Sequence, residues 1–177
     1  MPGPQWFIFG DSLSDDGATQ GVLTGPSTDP FGGRASNGAL WHELIRDDLL
    51  VAPGATQLGQ APEVDGSLGG SLDNGVNFAH GGARSSTNAG GSSVPGALEQ
   101  AQGFATLVND GTIPAPTPDD LFIVLIGGND VVDDLVGSNG IINVAEIVGN
   151  IRSTLETLQA AGMERLFLGG VPSLGGL

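Results

Sequence analysis

Residues 7–14 read Phe7-Ile8-Phe9-Gly10-Asp11-Ser12-Leu13-Ser14, and the expected architecture of the chain follows from this stretch. An apolar strand, predicted at residues 6–9, runs into Gly-Asp-Ser-Leu and then into a helix-compatible segment. A strand-to-helix turn of this kind places the Ser12 hydroxyl clear of the sheet and points backbone N–H groups at a bound ligand. Ser12 is therefore a candidate nucleophile, although a serine in an isolated Gly-Asp-Ser more often only caps a helix.

Predicted strands and helices alternate along the remaining sequence. Apolar runs predict three further strands, at residues 76–79, 121–126 and 165–169. Apolar residues at helical spacing predict helices at residues 39–50, 97–108 and 143–161. The polar, glycine-rich residues 52–75 and 85–94 are interpreted as loops. The alternation indicates a single α/β domain, residues 1–177, whose parallel sheet has helices on both faces.

The first and last predicted helices each carry an apolar stripe that is expected to face the sheet. The stripe of the first helix consists of Leu40, Trp41, Leu44, Ile45 and Leu49. The stripe of the last helix consists of Val144, Ile147, Val148, Ile151, Leu155 and Leu158. Ser36 or Asn37 is placed to cap the first helix, and Gly162 is placed to end the last one.

Length and composition are those of a globular protein with one sizeable core. The chain has 177 residues, of which 39% are hydrophobic and 14% charged. No run of eighteen apolar residues is present, and so no membrane-spanning helix is expected. The opening residues 1–4 lack the basic and long apolar regions of a signal peptide, and a secreted or extracytoplasmic location is favoured with any such peptide already removed.

The charge balance is strongly acidic. Twenty Asp and Glu residues outnumber five arginines, which gives a net charge of −15. Such a charge repels nucleic acid phosphates and anionic membranes, and no nucleic acid partner is expected. The absence of cysteine excludes disulfides, thiol catalysis and thiolate metal sites.

Two further motifs follow predicted strands. Residues 77–83 read Asn-Phe-Ala-His-Gly-Gly-Ala, and residues 126–130 read Ile-Gly-Gly-Asn-Asp. Glycine lets a backbone N–H approach a ligand closely, and the Asn129 side chain offers an amide donor. Each motif alone is more often an ordinary turn, but both lie at carboxyl ends of parallel strands, where α/β sheets bind ligands.

Together with residues 7–14, these motifs resemble the first three sequence blocks of the GDSL (SGNH) family of serine esterases and lipases. Residues 34–41 and 162–172 resemble further family segments, and Asn-Phe-Ala before Gly-Gly-Ala is typical of its larger, plant- and haemolysin-like branch. The resemblance therefore covers nearly the whole chain. It implies a three-layer α/β/α sandwich with a mainly parallel sheet, the flavodoxin-like SGNH-hydrolase fold.

The resemblance also implies catalytic roles. Ser12 would be the nucleophile of a carboxylic ester hydrolase, and Gly82 and Asn129 would donate hydrogen bonds to the oxyanion together with the Ser12 N–H. Gly81 is the less favoured glycine of its pair. The serine mechanism requires no cofactor, and the expected substrate is a small-molecule or lipid ester.

Three more residues are expected around the substrate. Asp11 is expected to orient the turn that carries Ser12, and Asp130 to bind backbone in the loops of the site. His80 precedes the glycine pair and is expected to contact substrate or Ser12. The pairs Asp15-Asp16 and Asp133-Asp134 are interpreted as solvated side chains, and no metal site is expected.

The sequence departs from the family at the catalytic base, which the family places in an Asp-x-x-His block. The chain has only two histidines, His42 and His80, and neither lies in such a block. His42 is interpreted as solvated or partly packed, and His80 as a possible substitute base. We therefore expect the chain to be the N-terminal portion of the domain, with an unfinished sheet edge and a complementing segment or chain that carries Asp-x-x-His.

Two functions remain open from the sequence. The first is ester hydrolysis through Ser12, with the base supplied from beyond residue 177. The second is a non-catalytic module that binds an ester or a glycan, which the missing histidine favours and the complete Ser, Gly and Asn set disfavours. A phosphate-binding function is disfavoured because the chain has no Gly-x-x-x-x-Gly-Lys and no lysine.

Overall fold

The computed structural model describes residues 4–17, 36, 38–50, 59–60, 75–87, 94–137 and 140–171. The strands among them are β1 (Trp6–Gly10), β2 (Gly59–Gln60), β3 (Gly75–Asn77), β4 (Leu121–Leu125) and β5 (Leu166–Gly169). The helices among them are α1 (Trp41–Leu50), α2 (Ala97–Asn109), α3 (Gly128–Gly137) and α4 (Val144–Ala160). None of these helices has both the length and the apolar character needed to cross a bilayer.

The strands form one sheet in the order β2-β3-β1-β4-β5, and every pairing is parallel. The register pairs Gly10 with Leu125 and Ile8 with Asn77, so that the carboxyl ends of β1, β3 and β4 meet at one edge. The predicted parallel α/β architecture is confirmed. Both motifs that follow strands, and the turn after β1, therefore lie at the same edge of the sheet.

Alternate residues of β1 face two separate layers of the core. Phe7 and Phe9 pack on one face with residues of α2 and α4, including Phe104 and Leu158. Ile8 lies on the other face, in the cluster against which Trp41 of α1 packs. This alternation is the expected one for a strand that is buried on both faces.

The predicted apolar face of the first helix is wrong in part. Leu44 and Ile45 are 55% and 43% exposed, whereas His42 is 2% exposed. The reason is a buried hydrogen bond between His42 Nε2 and the Ser14 carbonyl, which holds the His42 ring inward.

The start of the first helix is capped by an acidic side chain. The helix begins at Trp41, and the Leu40 N–H donates to Glu43 Oε2 at 2.7 Å, so that Glu43 caps the start. Asn37, one of the two predicted caps, lies outside the described residues.

The stripe of the last helix is buried only in part. Val144 and Val148 are 60% and 57% exposed, whereas Ile147 and Leu158 are buried. Thr154 is buried instead, because its hydroxyl donates to the Asn150 carbonyl at 3.0 Å and so satisfies itself within the helix.

Two elements were not predicted. Helix α3 begins inside the Gly-Gly-Asn-Asp motif, which alone reads as a turn. Strand β2 lies within the predicted loop 52–75, where it pairs with β3 over two residues. Gly75, the last residue of that predicted loop, is the first residue of β3. Residues 52–58 and 61–74 of that loop, and residues 88–93 of the other predicted loop, lie outside the described residues.

Candidate active site

A tight turn holds Ser12 beyond the end of β1. The N–H groups of Ser14 and Asp15 both donate to the Asp11 carbonyl at 3.0 Å, and the Leu13 N–H donates to Asp11 Oδ1 at 3.0 Å. Ser12 lies in the middle of this turn and is half-buried. The Asp11 side chain therefore orients the turn through the residue that follows the candidate nucleophile.

Three side chains anchor the end of the turn at Ser14. The Ser14 carbonyl accepts hydrogen bonds from His42 Nε2 at 3.0 Å and from Asn77 Nδ2 at 2.8 Å. Trp41 Nε1 donates to the Ser14 hydroxyl at 3.2 Å. The interpretation of His42 as a solvated or partly packed side chain is thus wrong. Because a carbonyl only accepts, His42 Nε2 carries a proton and has no lone pair to take the one from Ser12.

The structure distinguishes the two glycines after β3. The Gly81 N–H donates to Asp15 Oδ2 at 2.7 Å, in a buried hydrogen bond. Gly82 is exposed, has a φ of +81°, and has open space where a Cβ would lie. Because the Gly81 N–H is already bound, Gly82 remains as the candidate oxyanion donor of the pair.

Asp15 has a structural task that its sequence context did not suggest. It is fully buried, and its other carboxylate oxygen accepts the Gly17 N–H at 2.9 Å. The interpretation of Asp15 as a solvated side chain is therefore wrong. Its carboxylate instead joins the loop after β1 to Gly81 in the loop after β3.

Asn129 and Asp130 follow β4 and face the loop that follows β3. Asn129 Nδ2 donates to the Ala83 carbonyl at 2.8 Å. A side-chain amide has two N–H hydrogens, and no second acceptor for Asn129 Nδ2 lies among the described residues, so one hydrogen is available for a ligand. Asp130 accepts the Ser85 N–H at 2.9 Å and the Ser85 hydroxyl at 2.6 Å, and so binds backbone in the site loops.

Burial of Asp11 opposes the ionisation of its carboxyl. Asp11 is 4% exposed, and burial raises the pKa of its carboxyl, with the charge of Asp130 raising that pKa further. The hydrogen bond from the Leu13 N–H acts in the opposite direction. A Cβ on Gly128 would lie 3.8 Å from Asp11 Oδ2, which places this carboxyl against the start of α3.

His80 lies at the edge of the same group. Its N–H donates to the Gly10 carbonyl at 3.0 Å, and its side-chain Nδ1 lies 2.8 Å from the Phe78 carbonyl. Because that carbonyl accepts, Nδ1 is assigned the proton, and in the neutral ring Nε2 is an acceptor. The half-buried ring is therefore held in a tautomer that is able to accept a proton.

Gln100 of α2 belongs to the same framework and was not predicted. Its Oε1 accepts the Gly10 N–H at 2.9 Å, and its Nε2 donates to the Gly10 carbonyl at 2.9 Å. A side chain at Gly10 would collide with the Leu125 carbonyl, so the amide fixes a strand end that only glycine fits. The signal for Gln100 was a polar residue on the buried stripe of a helix, between Ala97 and Phe104.

The sheet brings the candidate residues to one edge. Ser12, Gly82 and Asn129 each follow a different strand, β1, β3 and β4, and these three strands are neighbours. Within the described ranges, no group of three or more His, Cys, Asp or Glu side chains is arranged to hold a metal ion. The arrangement combines a turn-borne hydroxyl with backbone and amide donors, a combination suited to attack on a carbonyl.

Comparison with known proteins assigns a family. The sequence model described as GDSL-like Lipase/Acylhydrolase matches residues 7–170, which is most of the chain. The matched range contains the turn after β1 and both motifs that follow β3 and β4. A comparison with curated proteins gave no match.

Proposed function

This chain belongs to the GDSL-like lipase/acylhydrolase family, and from that membership we propose that it is a serine carboxylic ester hydrolase. Membership itself suggests hydrolase activity. The observation that carries the narrower proposal is the position of Ser12, which lies on a turn braced by Asp11 at the sheet edge shared with Gly82 and Asn129.

In the proposed reaction, Ser12 Oγ attacks the acyl carbon while a base removes its proton. The negative charge that develops on the carbonyl oxygen is stabilised by the N–H groups of Ser12 and Gly82 and by the second amide hydrogen of Asn129. The bond to the alcohol then breaks, and the base returns its proton to the leaving oxygen. Water attacks the acyl-serine in the same way, which releases the acid and regenerates Ser12.

The base is proposed to come from a segment outside this sequence that carries Asp-x-x-His. His42 is unsuited, because its Nε2 donates to the Ser14 carbonyl. The residues that follow β5 lie close to the segment after β4, since Val171 Cγ2 lies 3.3 Å from where a Gly127 Cβ would be. A segment docked beside β5 would therefore lie near the site. The β5 side chains Leu166 and Phe167 are 39% and 54% exposed, although strands of a parallel sheet are normally covered.

The alternative function is a non-catalytic module that binds an ester or a glycan. The lack of an assigned base favours it. The grouping of Ser12, the Gly82 N–H and the Asn129 amide at one sheet edge disfavours it, because a binding module has no chemical need for this set. The Gly81 N–H and one Asn129 hydrogen are bound within the protein, which leaves the Gly82 N–H and the other Asn129 hydrogen as the donors of that set.

Hydrolysis of p-nitrophenyl butyrate by the chain and by Ser12→Ala, each with and without imidazole, separates these functions. Imidazole substitutes for a missing base, and Ser12→Ala corrects for hydrolysis by imidazole itself. A Ser12-dependent rate that appears only with imidazole supports a hydrolase whose base comes from elsewhere. A Ser12-dependent rate without imidazole supports the hydrolase but makes His80 the base. Identical rates in chain and variant under both conditions would reject the hydrolase and leave the binding module.

A further inference from the structure

Of the three oxyanion donors proposed above, the Gly82 N–H and the Asn129 amide lie on segments that the sheet does not place side by side. Gly82 follows β3 and Asn129 follows β4, and in the strand order β1 lies between these two strands. No ladder of backbone hydrogen bonds therefore joins them, and their relative position depends on contacts made beyond the strand ends. An oxyanion hole requires its donors at hydrogen-bond distance from one oxygen at the same time.

Such contacts cross the end of β1 directly. The loop after β3 contributes the Ala83 carbonyl, which accepts Asn129 Nδ2 at 2.8 Å. It also contributes the Ser85 N–H, which lies 3.1 Å from Asp130 Oδ1 and 2.9 Å from Oδ2. A salt bridge between Arg84 and Asp133 joins the same two segments further out, where both side chains are exposed.

Ser85 has the central place in this arrangement. It is fully buried, and its hydroxyl donates to Asp130 Oδ1 at 2.6 Å. The same hydroxyl oxygen lies 3.3 Å from Asn150 Nδ2 of α4, which donates to it. A hydroxyl that gives its only hydrogen to a carboxylate and accepts from an amide is oriented in one direction, and a charge-assisted bond of this length is among the stronger hydrogen bonds in proteins.

We propose that Ser85 is a positioning residue of the oxyanion hole. Through its hydrogen bonds to Asp130 and Asn150, it holds the Gly82 N–H and the Asn129 amide at a fixed distance from each other across the end of β1. This inference rests on the proposed hydrolase function. Ser85 touches no reacting atom. Its effect is on the geometry of donors that act on the transition state more than on the bound ester.

Ser85→Ala tests the proposal, because it keeps the backbone bond to Asp130 and removes both bonds of the hydroxyl. We expect kcat to fall about 10- to 100-fold with imidazole present, while KM changes less than about three-fold. Ser85→Cys keeps a side chain of similar shape, slightly larger than serine, and forms weaker hydrogen bonds, so its kcat should lie between those of the unmodified chain and of Ser85→Ala. Ser86→Ala is the matched control, since the Ser86 hydroxyl donates to the Thr87 carbonyl and not to this network; its kcat should equal that of the unmodified chain.

A double-mutant cycle distinguishes positioning from general damage. If Ser85 acts through the amide donor, Ser85→Ala should lower kcat much less in an Asn129→Ala background than in the unmodified chain. Equal losses in both backgrounds, or a loss explained by a smaller fraction of folded protein, would overturn the proposal.

A readout without catalysis keeps the two proposals separable. In ¹⁵N-labelled protein, the Asn129 amide hydrogens should exchange faster with solvent in Ser85→Ala than in Ser86→Ala. If the chain and Ser12→Ala hydrolyse esters equally, the proposed function fails and this exchange measurement decides the positioning role alone. Unchanged exchange in Ser85→Ala would then reject it.

Discussion

Asn129 is the residue at which a turn motif and a catalytic group are hardest to tell apart. One hydrogen of its amide is bound by the Ala83 carbonyl, which fixes the side chain and leaves the second hydrogen for a ligand. If that hydrogen stabilises an oxyanion, Asn129→Ala should lower kcat about 100- to 1,000-fold with imidazole present. Asn143→Ala is the matched control, because Asn143 caps α4 by accepting the Glu146 N–H. It should lower the free energy of unfolding by about 1 kcal/mol and leave kcat unchanged.

Asp11 gives a prediction for stability against pH. Its carboxyl has a native pKa raised above the unfolded value of 3.8, first by burial and then by Asp130. A raised native pKa stabilises the fold below the unfolded pKa, and that stabilisation is lost as pH rises through the native value. Asp11→Asn keeps an acceptor for the Leu13 N–H and cannot ionise. The variant should therefore gain stability relative to the parent chain as pH rises from about 3 to 7.

The matched control for Asp11 is Asp110, whose carboxyl pKa is lowered rather than raised. The hydrogen bonds of Thr112 lower the pKa of the exposed Asp110 carboxyl. The stabilisation from a lowered pKa is present above the unfolded pKa and is lost as pH falls through the native one. Relative to the parent chain, Asp110→Asn should therefore be destabilised at neutral pH and converge with it in acid. Urea unfolding at several pH values measures both variants, and parallel pH profiles for Asp11→Asn and the parent would contradict the assignment.

At this scale the sequence predicted the positions of residues that directly follow strands, and their catalytic roles stay predictions. Ser12, Gly82 and Asn129 were placed at one sheet edge because parallel strands share the edge at which they end. Gln100 and Asp15 could not be placed in this way, because their partners are backbone groups 90 and 66 residues distant in sequence. A polar side chain on a buried stripe indicates that some partner exists, but not which one.

Among the elements, α2 contributes the side chain on which the aromatic core depends. The Phe104 ring is fully buried and lies 5.0 Å from Phe7, 5.4 Å from Phe122 and 5.7 Å from Phe9, measured between ring centroids. Removal of such a ring leaves a cavity that its neighbours fill only in part. Phe104→Ala should therefore lower the free energy of unfolding by about 3–5 kcal/mol.

The control for this prediction is a phenylalanine on the last strand. Phe167 is 54% exposed and contacts the ring of Trp41 at 6.4 Å between centroids. Phe167→Ala should lower the free energy of unfolding by about 1 kcal/mol or less, as expected for a partly exposed site. Urea unfolding followed by circular dichroism measures both variants. Equal losses would mean that α2 does not pack on the sheet as described.

The elements also show where periodicity is a poor guide. Helix α1 was predicted with Leu44 and Ile45 inward, but the bond from His42 to the Ser14 carbonyl selects the face that is buried. Helix α3 was not predicted because its first residues, Gly-Asn-Asp, read as a turn. Its valines Val132 and Val136 are 37% and 83% exposed, so apolar burial does not define this helix. In both helices a contact with another element, rather than apolar spacing, determines the orientation.

At the scale of the whole molecule, an exposed apolar strand coexists with a large negative charge. Strand β5 pairs with β4, and among the described residues no strand pairs with its other side. Its side chains Leu166, Phe167 and Leu168 are between 39% and 54% exposed. An edge strand with exposed apolar side chains favours association between copies of the chain, whereas a net charge of −15 makes the copies repel one another.

These two properties respond differently to salt, and the balance between them is therefore measurable. The screening length falls from about 10 Å at 0.1 M salt to about 3 Å at 1 M, so that repulsion between copies weakens while apolar attraction does not. We expect sedimentation velocity to show a monomer at low salt and growing association as NaCl rises to 1 M. Phe167→Glu should suppress that association, whereas Val136→Glu, which adds the same charge at an exposed valine of α3, should suppress it less. Equal suppression by the two variants would assign the effect to charge alone and remove β5 as the associating surface; the proposed segment that carries the base would then need another place to dock.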